Sequence, residues 1–326
     1  SHKKIRSTIK TIEKLKIPLT IYEVLTLIFI INASQKKTDF CIMEAGALWK
    51  LDSNNVIDFP LKQIIVNINK QHLNFLKRKT LDEVINQKVG FLSHFTKIHV
   101  GKQKIKVLKK IKNKLKTNKI DIEYPSSWKL LKENNNFFYK DKNTKIKIKS
   151  RYIHSRGLLE NLCMAIRIAL DLKISKNTII KTIPKIIFKA RIQYLLKGKL
   201  VKKINKNEKL LIDGCHSETS ARNLYNYLKT LKLPIYGIWA MTKNKKPDEF
   251  LKEFKGIFKK IITISIKDES ASLSSKFLLK IAKNNNYKTE SANSFEKALK
   301  IISSKEKKII VCFGSLYSAG VILKKN

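Results

Sequence analysis

The chain has 326 residues, with 69 Lys and Arg against 25 Asp and Glu, and its formal net charge is +44 at pH 7. Hydrophobic residues make up 43% and charged residues 29%, proportions typical of globular proteins. This length predicts two domains, and no apolar run is long enough to span a bilayer, which excludes the membrane as an expected partner. The cysteines are scattered without metal-binding spacing, which predicts free thiols and a reducing cytoplasm.

The N-terminal part of the chain predicts strands that alternate with helices, the pattern of a parallel α/β sheet. Residues 21–33 predict a buried helix, residues 39–44 a buried strand that ends at Glu44, and residues 63–68 a second buried strand. A helix is predicted to begin after Thr80, with Thr80 as its N-cap and Glu83 completing a capping box. The next predicted elements are strands at 96–100 and 145–149 and helices at 158–172 and 175–183.

A second α/β unit is predicted to begin near Ala190, which divides the chain into residues 1–188 and 189–326. The alternation of its elements predicts a Rossmann-like domain of ordinary size. Its predicted strands are 210–214, 234–239, 261–266 and 308–313, and its predicted helices are 217–231, 247–258, 274–282, 295–302 and 314–323.

Polar residues follow three of the predicted strands, at Glu44, at residues 69–72 and at residues 213–216. Ligands of open parallel sheets bind at the carboxyl ends of the strands, and the third group also precedes a helix N-terminus, which favours anions. A carboxylate and an imidazole at neighbouring strand ends could share a divalent cation. Taken singly, such residues are more often structural, and it is their combination that predicts a cleft for a nucleotide or another anion.

The charge of +44 is also compatible with nucleic-acid binding through phosphate contacts. However, the lysines are spread over nearly every segment and are not interleaved with aromatic residues that could stack on bases. This distribution favours a lysine-rich proteome over a nucleic-acid partner. An anionic small molecule would still be attracted by the positive electrostatic field of the protein.

Several segments then resemble the motifs of one family. Residues 311–323 read VCFGSLYSAGVIL and are similar to GSLYLxGxVL, and residues 211–216 read LIDGCH and are similar to LDGxHNP. Further matches, in the same order as in the family, are SHKKIR at 1–6, EAG at 44–46, LDSNNV at 51–56, HLNFL at 72–76, QKVG at 87–90, ARIQ at 190–193 and ESASLS at 269–274. The chain thus resembles the bacterial dihydrofolate synthase/folylpolyglutamate synthases of the Mur-ligase superfamily, in their alphaproteobacterial form.

The resemblance implies an α/β protein with a Mur-ligase-like central ATPase domain, incomplete at its N-terminus, followed by a Rossmann-like C-terminal domain. It implies an enzyme that uses ATP and Mg²⁺ to activate the carboxylate of dihydropteroate or folate as an acyl phosphate. The amine of L-glutamate would then attack, giving an amide, ADP and phosphate. The expected partners are these small molecules, acting on a cytoplasmic monomer whose two domains close around them.

The resemblance also implies roles for individual residues. Glu44 and His72 match metal ligands, and Lys88 matches a catalytic lysine that is often carbamylated in this superfamily. Four further positions are implied to bind ATP: Asn161 near the nucleotide, Arg191 at the phosphates, Asp213 at the ribose, and His216, also catalytic, on the phosphate side.

Departures from the family pattern keep a second hypothesis open. The GTNGKGS phosphate loop of the family is expected before Ser1, and residues 47–50 replace a glycine-rich segment where backbone approaches ligand. A degenerate ligase-fold protein that is catalytically weak or inactive would show the same departures. The two hypotheses differ in whether the full-length protein turns over ATP.

Overall fold

The computed structural model describes residues 2–116, 120–134, 136–150 and 152–326, so Ser1 of the first motif lies outside the described residues. The chain divides into two compact units. Unit 1 comprises Ser1–Lys129, Lys140–Asn143 and Cys163–Ile168, and unit 2 comprises Leu130–Tyr139, Thr144–Leu162 and Ala169–Asn326. The domain boundary between residues 188 and 189 stays a prediction. Within the described ranges, no helix combines the length and apolarity needed to cross a membrane.

Unit 1 contains a three-stranded parallel sheet in the order β1-β2-β3. Its strands are β1 (Gln63–Ile65), β2 (Ile98–Val100) and β3 (Ile122–Glu123), and its helices are α1 (His2–Leu15), α2 (Ile21–Ser34), α3 (Leu81–Val89) and α4 (Ile105–Leu115). Helix α4 buries Val107, Ile111 and Leu115, whose spacing of four residues forms a stripe along one face. This stripe belongs to the same core as Ile98 of β2 and Val84 of α3.

A second three-stranded sheet follows in the order β4-β5-β6, comprising β4 (Trp128–Glu133), β5 (Asn136–Asp141) and β6 (Lys145–Lys147). In β6, the buried Ile146 lies between two exposed lysines, and the strand predicted at residues 145–149 is confirmed over its first three residues. The helices α5 (Arg156–Asp171) and α6 (Lys176–Thr182) come next. Ser175 accepts a hydrogen bond from Thr178 N–H and thereby caps α6.

Unit 2 is built on a six-stranded sheet in the order β11-β10-β9-β12-β8-β7. Its strands are β7 (Gln193–Leu195), β8 (Glu208–Ile212), β9 (Ile235–Trp239), β10 (Phe258–Thr263), β11 (Thr289–Ser291) and β12 (Lys308–Phe313). Its helices are α7 (Glu218–Leu228), α8 (Pro247–Lys252), α9 (Ser275–Asn284), α10 (Phe295–Ile302) and α11 (Leu316–Lys325). All neighbouring strands are parallel except β7, which is antiparallel to β8.

The central strand β12 has all six of its residues buried, because separate hydrophobic cores cover the two faces of the sheet. One core contains Ile310 and Cys312, and the other contains Val311 and Phe313. This alternation fixes the register of the strand. The predicted α/β class and the Rossmann-like architecture are therefore confirmed, with one antiparallel strand, β7, at the edge of the sheet.

Two predictions for the N-terminal part are wrong. Residues 39–44 form no strand, and Phe40 and Ile42 are 47% and 87% exposed. An apolar run becomes a strand only where a neighbour completes its backbone hydrogen bonds, and the described sheet of unit 1 does not include this run. Helix α2 is present but not buried, since only Thr26 and Ile28 are shielded while Ile21 is 82% exposed.

Two further details differ from the sequence prediction. Thr80 caps α3 by accepting from Glu83 N–H, but the Glu83 carboxylate accepts from Gln87 Nε2 at 2.8 Å and not from the Thr80 backbone. The capping box is therefore only half formed. Helix α8 ends at Lys252, six residues before the predicted end, because Phe258 belongs to strand β10.

Candidate functional site

The carboxyl edge of the unit 2 sheet brings together residues that are distant in sequence. Asp213, Gly214 and His216 follow β8, and Gly314 follows β12. Arg191 belongs to the turn that enters β7, and β7 begins at this edge because it runs antiparallel to β8. Three of the predicted site residues, Arg191, Asp213 and His216, are therefore neighbours.

Asp213 is buried, and both oxygens of its carboxylate accept hydrogen bonds from the backbone. Oδ2 accepts from Ile192 N–H at 2.8 Å, and Oδ1 accepts from Cys215 N–H at 2.8 Å. Burial raises the pKa of the Asp213 carboxyl, while these two amides and the Arg191 guanidinium favour its ionised form. The side chain thus binds the protein's own backbone, and the ribose contact implied by the resemblance stays a prediction.

The turn at residues 190–192 holds two non-glycine residues in left-handed backbone conformation, with φ of 55° at Ala190 and 47° at Ile192. Such a conformation costs a residue with a side chain roughly 1–2 kcal/mol. Three hydrogen bonds offset this cost: Ala190 N–H donates to Gln193 Oε1, Ala190 O accepts from Gly214 N–H, and Ile192 N–H donates to Asp213.

The side chain of Arg191 is exposed and passes over Gly214. A methyl group built on Gly214 would lie 3.2 Å from Arg191 Nη1 and 2.3 Å from Leu316 Cδ2. The absence of a side chain at Gly214 therefore makes room for Leu316 and lets the guanidinium lie close to the backbone. One of its donors lies 3.4 Å from the Ala190 carbonyl oxygen. An exposed guanidinium is well suited to bind phosphate or carboxylate oxygens.

His216 lies at the entrance to α7 and is half-buried. Its Nδ1 is 2.9 Å from the carbonyl oxygen of Gly214. Because a carbonyl can only accept, Nδ1 holds the proton of the neutral ring and Nε2 is left with its lone pair. Burial lowers the pKa of His216 below its ordinary value of 6.5, so the ring is neutral at pH 7. The nearby cations Lys245 and Arg191 also lower this pKa.

The ends of β9 and β12 approach each other closely beside this group. Gly314 has φ of 106°, and a Cβ there would lie 2.3 Å from the carbonyl oxygen of Ala240, so no other residue fits. Ser315 then caps α11 by accepting from Tyr317 N–H and Ser318 N–H. Trp239 is fully buried and stacks with Phe313.

In unit 1, the segment 44–54 is held by a network of side chains. Glu44 is exposed, and its backbone carbonyl accepts from Tyr22 OH at 2.9 Å and from Asn54 Nδ2 at 2.6 Å. The Asp52 carboxylate accepts from Gly46 N–H at 2.8 Å and from Asn54 N–H at 3.0 Å. The backbone under the Glu44 carboxylate is therefore fixed, although the carboxylate itself faces solvent.

Lys88 of α3 reaches the same segment. Its Nζ donates to the Ala47 carbonyl oxygen at 2.6 Å. Burial lowers the pKa of Lys88, and the nearby Asp52 carboxylate partly opposes this shift. A larger share of Lys88 is thus a neutral amine than of an exposed lysine, which is the form that reacts with electrophiles such as CO₂.

The other two predicted positions are His72 and Asn161. His72 has φ of 58° and is half-buried before a 3₁₀ turn at Leu73–Phe75. Asn161 is exposed on α5, and no described contact joins it to Arg191, Asp213 or His216. Across the described ranges, no three His, Cys, Asp or Glu side chains form a group that could hold a metal ion. A metal at Glu44 and His72 would need further ligands from elsewhere.

Several residues that shape these groups carry no recognisable signal in the sequence. Tyr22 supports Glu44 from a helix without any motif, and only the hydrogen bond across 22 residues reveals its role. Lys245 lowers the pKa of His216, but a single lysine in so lysine-rich a chain does not stand out in the sequence. Ile192 is important for its backbone conformation, and its side chain gives no indication of that.

Comparison with known proteins adds two findings. Residues 196–325 match a family model described as dihydrofolate synthetase, C-terminal domain. No curated protein matches the sequence. The matched range contains β8 to β12 and the whole of α11 and therefore includes Asp213, Gly214, His216 and Gly314.

Solved structures match nearly the whole chain. Folylpolyglutamate synthase of Mycobacterium tuberculosis, complexed with ADP and AMPPCP, has a TM-score of 0.83 at 15% identity, covering 99% of this chain and 79% of that chain. The enzyme of Thermotoga maritima has a TM-score of 0.81 at 20% identity, with 99% and 76% covered. The bifunctional folylpolyglutamate synthase/dihydrofolate synthase of Yersinia pestis, with AMPPNP and Mn, has a TM-score of 0.80 at 16% identity, with 99% and 76% covered.

The two comparisons agree with the motifs found in the sequence. The family model covers the range that includes LIDGCH and GSLYSAG, and the structural matches extend the likeness to unit 1. Residues 196–325 are similar to the C-terminal domain of dihydrofolate synthetase, and the chain has the fold of the folylpolyglutamate synthases.

Proposed function

We propose that the chain belongs to an ATP-dependent ligase that joins L-glutamate to dihydropteroate or folate through an acyl-phosphate intermediate. The observation that supports this best is the grouping of Arg191 and His216 at the carboxyl edge of a sheet whose domain matches the dihydrofolate synthetase family. The edge presents a cation, a neutral imidazole and a helix N-terminus to the same region. These are the groups that bind phosphate oxygens in α/β proteins.

The proposed chemistry assigns a task to each group. Arg191 binds phosphate oxygens of the nucleotide and neutralises charge that develops on transfer of the γ-phosphoryl group. His216 presents its unprotonated Nε2, which can accept a hydrogen bond from a water or from the incoming amine. Asn161 is proposed to contact the nucleotide through its exposed amide. ADP, AMPPCP and AMPPNP in the related structures support a nucleotide as the ligand.

The proposed metal ligands Glu44 and His72 fit Mg²⁺ only if the ion arrives bound to ATP. Mg²⁺ in nucleotide sites keeps several waters and takes one or two carboxylates together with phosphate oxygens. Glu44 offers an exposed carboxylate on a fixed backbone, but the described residues hold no group of three metal-binding side chains. We therefore propose that Mg²⁺ arrives with ATP and is bound by Glu44, with His72 as the second candidate ligand. When bound, it would neutralise charge on the phosphates.

Lys88 is proposed to be carbamylated. Its lowered pKa favours the neutral amine that adds CO₂, and the product would carry a negative charge next to the segment that contains Glu44. A carbamate at this position would supply the additional oxygen ligands that the described side chains lack. The proposed setting is a cytoplasmic, monomeric enzyme that acts on small molecules.

Release of ADP in the presence of dihydropteroate or folate, L-glutamate and Mg²⁺ tests the proposal. We expect release to depend on ATP, on dihydropteroate or folate, on L-glutamate and on Mg²⁺, and to fall about 100-fold or more in Arg191→Ala, because a phosphate-binding cation acts on the transition state. Arg222→Ala removes an exposed arginine on α7 that pairs with Glu253, and it is the matched control expected to keep full activity. A protein that is folded and releases no ADP with either acceptor would instead be a degenerate ligase-fold protein.

A further inference from the structure

His154 lies beside two tyrosines of unit 2 and contacts both of their rings. Its ring centroid is 5.6 Å from that of Tyr194 in β7, with the ring planes at 88°, and 5.8 Å from that of Tyr227 in α7, with the planes at 37°. Rings at these distances, in edge-to-face or tilted arrangements, attract each other. All three side chains are half-buried and belong to unit 2. His154 thus joins its own segment to a strand and a helix that come much later in the chain.

The two tyrosines form a fixed surface for this ring. The hydroxyl groups of Tyr194 and Tyr227 are hydrogen-bonded to each other at 3.0 Å, and both side chains pack against the hydrophobic core that covers one face of the six-stranded sheet. Burial raises the pKa of both phenols, so both are uncharged at neutral pH. The surface that His154 contacts is therefore uncharged and anchored to the core of unit 2.

His154 directly precedes the residue that caps α5. Ser155 Oγ accepts from Leu158 N–H at 3.3 Å and so caps the start of the helix. On the other side of His154, the N–H of the buried Ile153 donates to Ser150 Oγ at 3.2 Å. A residue placed just before an N-cap sets the direction in which the chain enters the helix. The start of α5 is therefore held where the ring of His154 is held.

The contact joins two elements that carry residues proposed to bind ATP. Asn161 is exposed on α5, about two turns after the start of the helix. Arg191 lies in the turn that leads into β7, the strand that contains Tyr194. A helix and a strand are stiff over such short lengths, so the position of Asn161 relative to Arg191 depends on how α5 is held against β7. The ring of His154 is the described contact that holds it there.

We propose that His154 is a positioning residue: its ring holds the start of α5 against β7 and α7, so that Asn161 and Arg191 face the same nucleotide. This proposal rests on the proposed function, in which both of those residues bind ATP. His154 acts through ring packing and does not itself contact the nucleotide.

His154→Ala removes both ring contacts and tests the proposal. We expect the Kd for AMPPNP to rise about threefold to tenfold, the range that follows from losing one or two aromatic contacts. The KM for ATP should rise by a similar factor while kcat changes less than about twofold, because the lost contact affects binding and not the chemical step. His94→Ala removes an exposed histidine of unit 1 and is the control expected to change neither value. An unchanged Kd in His154→Ala would overturn the proposal.

His154→Phe separates ring packing from a polar role of the histidine. Phenylalanine places an aromatic ring at the same position but has no ring nitrogen, so this variant should bind AMPPNP with a Kd within about twofold of the wild type. If a nitrogen of His154 contacted the nucleotide, His154→Phe would lose as much affinity as His154→Ala. Equal losses in the two variants would therefore contradict positioning by the ring.

A double-mutant cycle with Asn161→Ala separates positioning from a general effect on stability. If His154 acts by placing Asn161, His154→Ala should weaken AMPPNP binding by less than about twofold once Asn161→Ala is present. A histidine that only stabilised the fold would weaken binding by the same factor in both backgrounds. Losses that multiply would show that His154 does not act through Asn161.

The position of α5 can be measured without a nucleotide. Nitroxide labels on Arg156→Cys and Asn226→Cys, both at exposed positions, report the distance between α5 and α7 in a Cys41→Ser background, where the remaining native cysteines are buried. We expect one narrow distance distribution with His154 or His154→Phe and a broader one with His154→Ala. An unchanged distribution in His154→Ala refutes the positioning role. If the wild type binds no nucleotide while the distribution broadens as expected, the proposed function fails and the holding of α5 by His154 is supported.

Discussion

Lys308 and Glu208 face each other at the amino ends of β12 and β8, with Lys308 Nζ 3.5 Å from Glu208 Oε1 and almost none of either side chain exposed. Lys308 also donates to Ile302 O and Ser304 Oγ, both at 2.6 Å. Glu208 accepts from Asn205 N–H, Ser303 Oγ and Ser304 N–H. The pair is therefore fully hydrogen-bonded, at the edge of the sheet opposite to Arg191 and His216.

Lys308→Met should destabilise the protein by about 3–5 kcal/mol, because it leaves the buried Glu208 carboxylate without its cation. Urea unfolding followed by a signal from unit 2 measures the effect. The double variant Lys308→Met/Glu208→Gln should lose less than the sum of the two single variants, since it removes both charges. A loss below about 1 kcal/mol in Lys308→Met would show that the remaining donors alone satisfy Glu208.

Gly214→Ala should weaken nucleotide binding several-fold and destabilise the protein by about 1–3 kcal/mol, the usual cost of overpacking. The added methyl would lie 2.3 Å from Leu316 Cδ2 and 3.2 Å from Arg191 Nη1, so both side chains must move. Gly320→Ala in α11, where nothing lies within 4 Å of the added methyl, is the control. It should stabilise the protein by up to about 1 kcal/mol. Titration with AMPPNP and urea unfolding of both variants provide the comparison.

The acid limb of the pH profile of kcat/KM should lie below pH 6.5, because burial lowers the pKa of His216. The free energy of unfolding should fall over the same range. As the pH drops below 6.5, the unfolded chain binds a proton on this residue before the folded protein does. His216→Gln should remove both this acid limb and the contribution of His216 to the fall in the free energy of unfolding. An acid limb that is unchanged in His216→Gln would assign it to another residue.

Lys88→Ala should lower the rate of ADP release by about 100-fold or more, the size expected for loss of a charged group near the phosphates. Short carboxylates such as formate should restore part of the rate if the lysine acts as a carbamate. In the wild type, ¹³C-bicarbonate should give a carbamate signal in NMR spectra that Lys88→Ala lacks. Lys110→Ala removes an exposed lysine that pairs with Asp82 and should change neither readout.

Much of unit 2 could be predicted from the sequence because its strands are buried on both faces. β12 and α10 have the predicted bounds, and β8 and β9 differ from prediction by one or two residues. Continuous apolar runs between turn residues are a strong signal for such strands. In contrast, the short edge strand β11 has one residue with intermediate exposure and two exposed residues, so its sequence resembles a loop.

Unit 1 was harder to predict because apolar residues there are not always buried. The run at 39–44 has the composition of a strand and is exposed, whereas α4 is rich in lysine and has a continuous buried stripe. Of the candidate site, the motifs predict Arg191, Asp213 and His216 as neighbours. They give no indication that the Asp213 carboxylate is directed at backbone amides, because a hydrogen bond to a strained turn depends on φ angles that single residue types do not encode.

The antiparallel direction of β7 determines where a self-sufficient C-terminal fragment can begin. A fragment cut at residue 196, where the family match starts, lacks the 190–192 turn and the whole of β7. Its Asp213 would keep Cys215 N–H but lose Ile192 N–H, and β8 would become an open edge strand with a tendency to pair with other chains. A fragment that begins a few residues before Ala190 retains both, so expression trials should place the cut there.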